Sequence, residues 1–217
     1  MREGNLESDK RTNVEPSTGE ESDKRHAEQM RRRKASYDAR KAATKEKWLI
    51  IGHTGTGKGK TSAALGMVFR ALGHGMRVGV VQFTKGAIET GEAAFAKQLE
   101  GRVDFYTLGE GYTWETQDRG RDTAVASRAW ERARALIGDP RYQIIVLDEL
   151  NIVLKYNYVS LDEALDALRH KREDLHVIVT GRSAKDELIE LADLVTEMKL
   201  IKHLYKTGVK AQKGIEC

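Results

Sequence analysis

A glycine-rich stretch with two lysines and a threonine carries the first chemical signal in this sequence. It reads TGTGKGKT at residues 54–61 and lies between the apolar run 48–51 and a helical pattern of Ala, Leu and Met. Glycines allow successive backbone N–H groups to point into one concavity, and the following helix adds the positive end of its dipole. The stretch predicts a phosphate-binding loop in which Lys60 contacts phosphate and the Thr61 hydroxyl binds Mg²⁺.

The loop departs from the usual G-x-x-x-x-G-K-[ST] spacing, because Thr54 stands where the first glycine is expected. It also holds a second lysine, Lys58, and so has more positive charge than a generic loop needs. Such charge suits a site that binds a whole triphosphate and would stabilise it as a leaving group. The alternatives are a glycine-rich turn with incidental lysines, and a solvent-facing Lys58. The candidate nucleotide-binding residues here are Thr54, Gly55, Thr56, Gly57, Lys58, Gly59, Lys60, Thr61 and Ser62.

Two carboxylates, Asp148 and Glu149, follow the apolar run 144–147. An apolar strand that ends in an acid is typical of the partner strand of a P-loop site, where the carboxylate holds Mg²⁺ directly or through water. The pattern alone is weak, since many strands end in an acid, but it is strong in combination with the loop. We expect the metal ligands to be Thr61 and one or both of these carboxylates.

Alternating strand and helix patterns predict the fold that positions these residues. The strands are expected near 48–51, 77–83, 103–108, 144–147, 176–180 and 194–198. The helices are expected near 60–72, 92–99, 119–137, 160–168 and 184–191. Alternation of this kind favours an α/β fold with a mostly parallel six-stranded sheet covered by helices on both faces.

The 217 residues suit one α/β domain preceded by a tail. Residues 1–23 are acidic and nearly without large apolar side chains, which predicts disorder. Residues 24–46 are basic helix formers with few apolar positions, so they form a helical arm if they dock on another surface and a frayed lead-in otherwise. Residues 47–217 are assigned to the P-loop domain.

Charge and composition narrow the location and the class of protein. The net charge is +4, no apolar run approaches the ~20 residues that span a bilayer, and the first residues do not resemble a signal peptide. The single cysteine, Cys217, excludes a disulfide framework or a thiolate metal cluster. These features predict a cytoplasmic protein without a membrane segment.

Several blocks resemble, in order, the P-loop type of corrinoid adenosyltransferase of cobalamin biosynthesis. They are TGTGKGKT at 54–61, GHG at 73–75, VVQFTKG at 80–86, TWETQ at 113–117, VLDEL at 146–150, TGR at 180–182 and GVKAQ at 208–212. The resemblance implies a RecA-like P-loop fold. It also implies transfer of the 5′-deoxyadenosyl group of ATP to the reduced cobalt of a corrinoid, with release of triphosphate.

The resemblance also implies roles for individual residues. Lys58 and Lys60 would neutralise the leaving triphosphate together with Mg²⁺ or Mn²⁺, while Co(I) needs no protein base. Tyr112 and Trp114 would line the lower face of the corrin ring and displace its axial base, although the family commonly has Phe at the position of Tyr112. From their positions after strands, Lys85 is expected to reach phosphate or a corrin side chain and Arg182 to contact nucleotide, with a structural ion pair as the alternative for each.

For the basic arm, the resemblance implies a helix that folds over the corrinoid site of the partner subunit in a homodimer. Reduction of cobalt would come from an external flavoprotein, since the sequence has no flavin motif. A nucleic-acid role would need aromatic or base-reading residues beside the charge, and only Tyr37 is present there.

Two other functions compete with adenosyl transfer. A P-loop ATPase or small-molecule kinase would cleave the terminal phosphate and release ADP. A basic module that binds nucleic acid or a protein and uses ATP as a switch would depend on the arm and would bind in a salt-sensitive manner.

Overall fold

The computed structural model describes residues 19–42, 45–86, 90–99, 101–109 and 118–215. The chain divides into two compact units, Met1–Glu46 and Lys47–Cys217. Among the described helices, none combines the length and the apolar character that crossing a bilayer requires.

In the first unit, helix α1 spans Gly19–Ala42, so it begins before residue 24, where the sequence predicted the arm to start. Three ion pairs at i, i+4 spacing lie along it, Glu20 with Lys24, Glu21 with Arg25 and Glu28 with Arg32. Acidic residues occupy its first turn and basic residues its last, which complements the helix dipole. The domain boundaries themselves stay a prediction.

The second unit contains the predicted six-stranded sheet, and every strand pair in it is parallel. The strand order is β3-β2-β4-β5-β1-β6, so β5 lies between β1 and β4. The strands are β1 Ile50–Thr54, β2 Val78–Gln82, β3 Val103–Thr107, β4 Ile144–Asp148, β5 His176–Thr180 and β6 Leu194–Glu197. The α/β fold class predicted from the sequence is confirmed.

Helices cover both faces of the sheet and enclose two apolar clusters. The helices are α2 Lys60–Gly73, α3 Gly91–Lys97, α4 Arg119–Gly138, α5 Leu150–Lys155, α6 Leu161–Arg169 and α7 Asp186–Leu191, with a 3₁₀ turn at Leu204–Thr207. Side chains of α2 and α3 pack on one face, and those of α4, α5, α6 and α7 pack on the other. The sequence did not predict α5, a single short segment directly after Glu149.

The carboxyl ends of the six strands lie along one edge of the sheet because all six run in the same direction. Each strand ends in a polar residue, although the strand interiors are mostly apolar. The terminal residues are Thr54, Gln82, Thr107, Asp148, Thr180 and Glu197. This edge is where a ligand site is expected.

Truncation of Leu168 tests the core on the face that α6 covers. Its side chain is fully buried, so Leu168→Ala should lower the free energy of unfolding by about 2–5 kcal/mol. Phe69→Ala removes a larger side chain that is 73% exposed on α2, and should change stability by no more than about 0.5 kcal/mol. Urea unfolding followed by circular dichroism measures both, and equal losses would contradict this assignment of the core.

Candidate nucleotide site

The loop between β1 and α2 has the backbone that an anion site requires. Gly59 precedes α2 in a left-handed conformation with φ of 103°, and Gly55 has φ of 96°, values that favour glycine. No side chain of the described residues caps the start of α2. The first N–H groups of the helix are therefore directed at the loop without a side-chain partner, an arrangement suited to phosphate.

Lys60 is buried beneath this loop. Its Nζ donates to the carbonyl oxygens of Gly55 at 3.0 Å and Gly57 at 2.6 Å. Burial lowers its pKa, while the carboxylates of Glu149 and Asp148 act in the opposite direction. The ammonium group is thus already desolvated and positioned, and a phosphate oxygen would compete with the two carbonyls for it.

Asp148, fully buried at the end of β4, joins three parts of the fold. Its Oδ1 accepts hydrogen bonds from Thr61 Oγ1 at 2.8 Å and Thr180 Oγ1 at 2.7 Å. Its Oδ2 accepts one from Gln82 Nε2 at 3.0 Å. The structure therefore brings the predicted metal ligands Thr61 and Asp148 into direct contact.

The pair of Thr61 and Asp148 suits a cation such as Mg²⁺ that takes most of its ligands from groups other than protein side chains. A hydroxyl and a carboxylate are hard oxygen donors, as Mg²⁺ and Mn²⁺ prefer. The described residues contain no cluster of three or more His, Cys, Asp or Glu side chains placed to hold a metal. A cation at Thr61 and Asp148 would complete its shell with phosphate oxygens and water, which is the usual arrangement of Mg²⁺ at nucleotide sites.

Glu149 places a second carboxylate beside Asp148. It adopts a left-handed φ of 64°, and its N–H donates to Thr180 Oγ1 at 2.9 Å. Burial and then the charge of Asp148 raise its pKa, opposed by the positive charges of Lys60, Arg182 and Lys85. Charged residues that end or follow four different strands thus influence the same carboxyl group, that of Glu149.

The remaining predicted residues occupy different positions. Thr54 is buried, and its Oγ1 accepts a hydrogen bond from Ala184 N at 3.2 Å, so this hydroxyl holds the turn after β5. The side chains of Thr56, Lys58, Ser62 and Arg182 are exposed, and Lys85 is half-buried. The predicted corrin-binding residues Tyr112 and Trp114 lie outside the described residues.

The chain after β6 packs directly on the loop, which the sequence did not reveal. Gly57 N donates to Met198 O at 2.6 Å, and Met198 N donates to Thr54 O at 2.9 Å. A Cβ added at Gly57 would lie 2.8 Å from the carbonyl oxygens of both Met198 and Lys199. Close backbone approach therefore requires a glycine at 57, which accounts for part of the unusual glycine spacing.

Sequence reasoning also missed the hydrogen bonds of Thr180 and Gln82 to Asp148 and of Thr107 to Gln82. All three residues end apolar strands, and that position was the available signal. Met198 offers no such signal, because only its backbone is used.

The site combines three features: a buried loop lysine, an uncapped helix start, and a Thr–Asp pair at the carboxyl edge of a parallel sheet. Together they define a P-loop nucleotide-binding protein. Residues 46–217 match the family model described as ATP:corrinoid adenosyltransferase BtuR/CobO/CobP. The chain belongs to this family, whose members carry out the ATP-dependent adenosylation of corrinoids.

Three relatives illustrate the match, and each bears the name corrinoid adenosyltransferase. The protein of Pseudomonas aeruginosa is 53% identical over 197 residues, 90% of this chain and 97% of the relative. That of Sinorhizobium sp is 52% identical over 200 residues, 91% of this chain and 94% of the relative. That of Escherichia coli K12 is 42% identical over 196 residues, 90% of this chain and 99% of the relative.

Gly57→Ala tests the contact between the loop and the chain after β6. The added methyl group would meet two backbone oxygens, which cannot rotate away, so we expect weaker ATP binding and a loss of about 1–3 kcal/mol in stability. Gly66→Ala is the matched control, since it lies inside α2 with open space at its Cβ and should stabilise the protein by up to about 1 kcal/mol. Calorimetric ATP titration and urea unfolding measure both effects. Wild-type binding and stability of Gly57→Ala would refute the contact.

Glu149→Gln tests the raised pKa of this carboxyl group. Because its pKa is higher in the folded than in the unfolded protein, ionised Glu149 destabilises the fold, and this penalty develops as the pH rises between the two values. Without nucleotide or metal, Glu149→Gln should be more stable than wild type at pH 8, and the difference should shrink as the pH falls through that window. Glu131→Gln, an exposed residue of α4, should match wild type throughout. Unfolding titrations from pH 4 to pH 8 check this, and lower stability of Glu149→Gln than of wild type at pH 8 would contradict it.

Proposed function

We propose that this chain transfers the 5′-deoxyadenosyl group of ATP to the Co(I) centre of a reduced corrinoid and releases triphosphate. The lone pair of Co(I) forms the bond to C5′, and the C5′–O bond breaks with its electron pair on the triphosphate. No proton has to move in this step, so no general base is required. What the protein must supply is stabilisation of the charge on the leaving group.

The arrangement around Lys60 is the observation that carries this proposal. The buried ammonium lies against the loop carbonyls, with the exposed Lys58 two residues before it and the start of α2 directly after it. This concentration of positive charge suits a complete triphosphate better than a terminal phosphate alone. Lys60, Lys58 and the N–H groups of residues 55–61 are therefore assigned to the triphosphate, with Thr56, Ser62 and Arg182 at its exposed rim.

Thr61 and Asp148 would hold Mg²⁺ or Mn²⁺ in this site. When bound, the cation supplies further neutralisation of the triphosphate. The direct hydrogen bond between the two side chains supports them as the inner pair. Glu149 is proposed as the second carboxylate for the cation, directly or through water, and its charge acts against the burial that lowers the pKa of Lys60.

Tyr112 and Trp114 are proposed to line the lower face of the corrin ring. The described flanks of their segment support this placement. β3 ends at Thr107 on the same sheet edge as Asp148, and a Cβ at Gly109 would lie 2.5 Å from the carbonyl carbon of Thr84 and 2.7 Å from Lys85 O. Gly109, the last described residue before the segment that carries both aromatic residues, therefore lies beside Lys85, which is assigned to phosphate or a corrin side chain.

The organisation of the whole protein follows from the same function. Residues 24–46 are proposed as an arm that covers the corrinoid site of a partner subunit in a homodimer, with 1–23 as a tail and 47–217 as the catalytic domain. An external flavoprotein is proposed to reduce cobalt, and no role is assigned to nucleic acid. A cytoplasmic location accords with the use of ATP and with a single cysteine.

Product analysis tests the reaction. The protein is incubated in the dark, without oxygen, with ATP, Mg²⁺ and chemically reduced cob(I)alamin, while the corrinoid spectrum and the released phosphates are followed. We expect a light-sensitive cobalt–carbon product and one equivalent of triphosphate, because the bond cleaved is C5′–O. ADP and phosphate without a corrinoid product would refute adenosyl transfer and leave a P-loop ATPase or kinase.

A further inference from the structure

A chain of two hydrogen bonds connects Asp148 to the end of β3. Gln82 Nε2 donates to Asp148 Oδ2 at 3.0 Å, and Thr107 Oγ1 donates to Gln82 Oε1 at 3.1 Å. Gln82 and Asp148 are both fully buried, and they are register partners on the adjacent strands β2 and β4. Thr107 is the register partner of Gln82 on β3.

The donors and acceptors in this chain have a defined direction. A carboxylate accepts hydrogen bonds and donates none, so Gln82 must turn its NH₂ group towards Asp148. Its carbonyl oxygen then faces β3 and needs a donor, which the Thr107 hydroxyl provides. Asp148 thus selects one of the two amide orientations of Gln82, since the other would place Gln82 Oε1 against a carboxylate oxygen. The Thr107 hydroxyl stabilises the selected orientation by donating to Oε1.

The hydrogen bond from Gln82 also fixes the rotation of the Asp148 carboxylate. Thr61 and Thr180 both donate to Oδ1, and these two bonds alone would leave the carboxylate free to turn about that oxygen. The bond from Gln82 holds Oδ2 on the opposite side. Outer partners of this kind orient the groups that hold a metal and tune its affinity.

We infer that Gln82, oriented by Thr107, is a positioning residue that holds Asp148 and Thr61 ready for the divalent cation of the nucleotide complex. This rests on the proposed function for its place in the reaction, while the cation affinity that it sets is measured without any corrinoid. Packing alone does not explain a glutamine at position 82, since the neighbouring residues Val81 and Leu147 are apolar. A buried glutamine gains little over an apolar residue unless its hydrogen bonds serve a purpose.

The test is the affinity of Mn²⁺ for the protein–ATP complex, measured by electron paramagnetic resonance, beside calorimetric titration of metal-free ATP. Thr107→Val keeps the shape of the side chain and removes its hydroxyl, and Thr107→Ser keeps the hydroxyl. Loss of a direct partner of a metal ligand typically weakens metal binding about 10–100-fold, and Thr107 lies one hydrogen bond further out, so we expect Thr107→Val to weaken Mn²⁺ binding by up to about 10-fold. Affinity for metal-free ATP should stay near wild type, and Thr107→Ser should restore most of the Mn²⁺ affinity.

Thr123→Val is the matched control. Its hydroxyl donates to Arg119 O at 2.8 Å on the exposed surface of α4, so the same atoms and one hydrogen bond are lost away from the site. This variant should bind Mn²⁺ as wild type does. Gln82→Met provides a second test, since it removes both bonds in an apolar side chain of similar length, and it should weaken Mn²⁺ at least as much as Thr107→Val.

Three results would overturn the inference: unchanged Mn²⁺ affinity in Thr107→Val, equal weakening in Thr123→Val, or a parallel loss of metal-free ATP binding and stability, which would indicate a structural role alone. The outcome is separate from that of the product analysis. Release of triphosphate by the wild-type protein together with unchanged Mn²⁺ binding in Thr107→Val would leave the proposed function intact and remove only this inference. Weakened Mn²⁺ binding in Thr107→Val, without any adenosyl product from the wild-type protein, would support this inference and remove the proposed function.

Discussion

The buried carboxylate of Asp148 is the group on which the arrangement of this site depends. A carboxylate removed from water is costly unless hydrogen bonds replace its hydration, and here the donors come from α2, β2 and β5. The strand order makes this possible, because β4 lies between β2 and β5 and α2 begins next to them. Asp148 therefore couples the nucleotide loop to the centre of the sheet.

The loop itself is held from two sides. From within, the Lys60 ammonium bonds to the carbonyl oxygens of Gly55 and Gly57. From outside, the backbone of Met198 accepts the N–H of Gly57 and leaves no room for a side chain there. The phosphate site is thus formed largely before its ligand arrives, and preorganised positive charge is the contribution that a reaction with a triphosphate leaving group needs most.

Adenosyl transfer explains why the described part of the site concentrates on charge, since this reaction requires no protein base. Co(I) brings its own electron pair, so in the proposed reaction Lys58, Lys60 and the start of α2 are assigned to the leaving group. The carboxylates Asp148 and Glu149 keep this positive charge balanced before nucleotide binds. Burial and the neighbouring charge of Asp148 raise the pKa of Glu149, and the positive charges around the loop limit that rise.

The sequence by itself determined the elements and the centre of the site. Apolar runs and their polar ends marked all six strands, and a glycine-rich segment before a helical pattern marked the loop, because strand alternation, helix periodicity and loop chemistry are local properties. The family resemblance was likewise carried by short blocks, and the family match confirmed it. The roles of Tyr112 and Trp114 stay predictions from those blocks.

Only the tertiary structure decided which polar residues meet. Thr54 fits the loop by sequence, yet its hydroxyl holds the turn after β5. Gln82 bonds to Asp148 directly and Thr107 bonds to Gln82, from strands that are distant in the chain. The requirement for glycine at 57 arises from Met198, more than a hundred residues later, and a local pattern holds no record of such a contact. Register across a parallel sheet brings these residues together, and that register is fixed by packing of the whole domain rather than by any one segment.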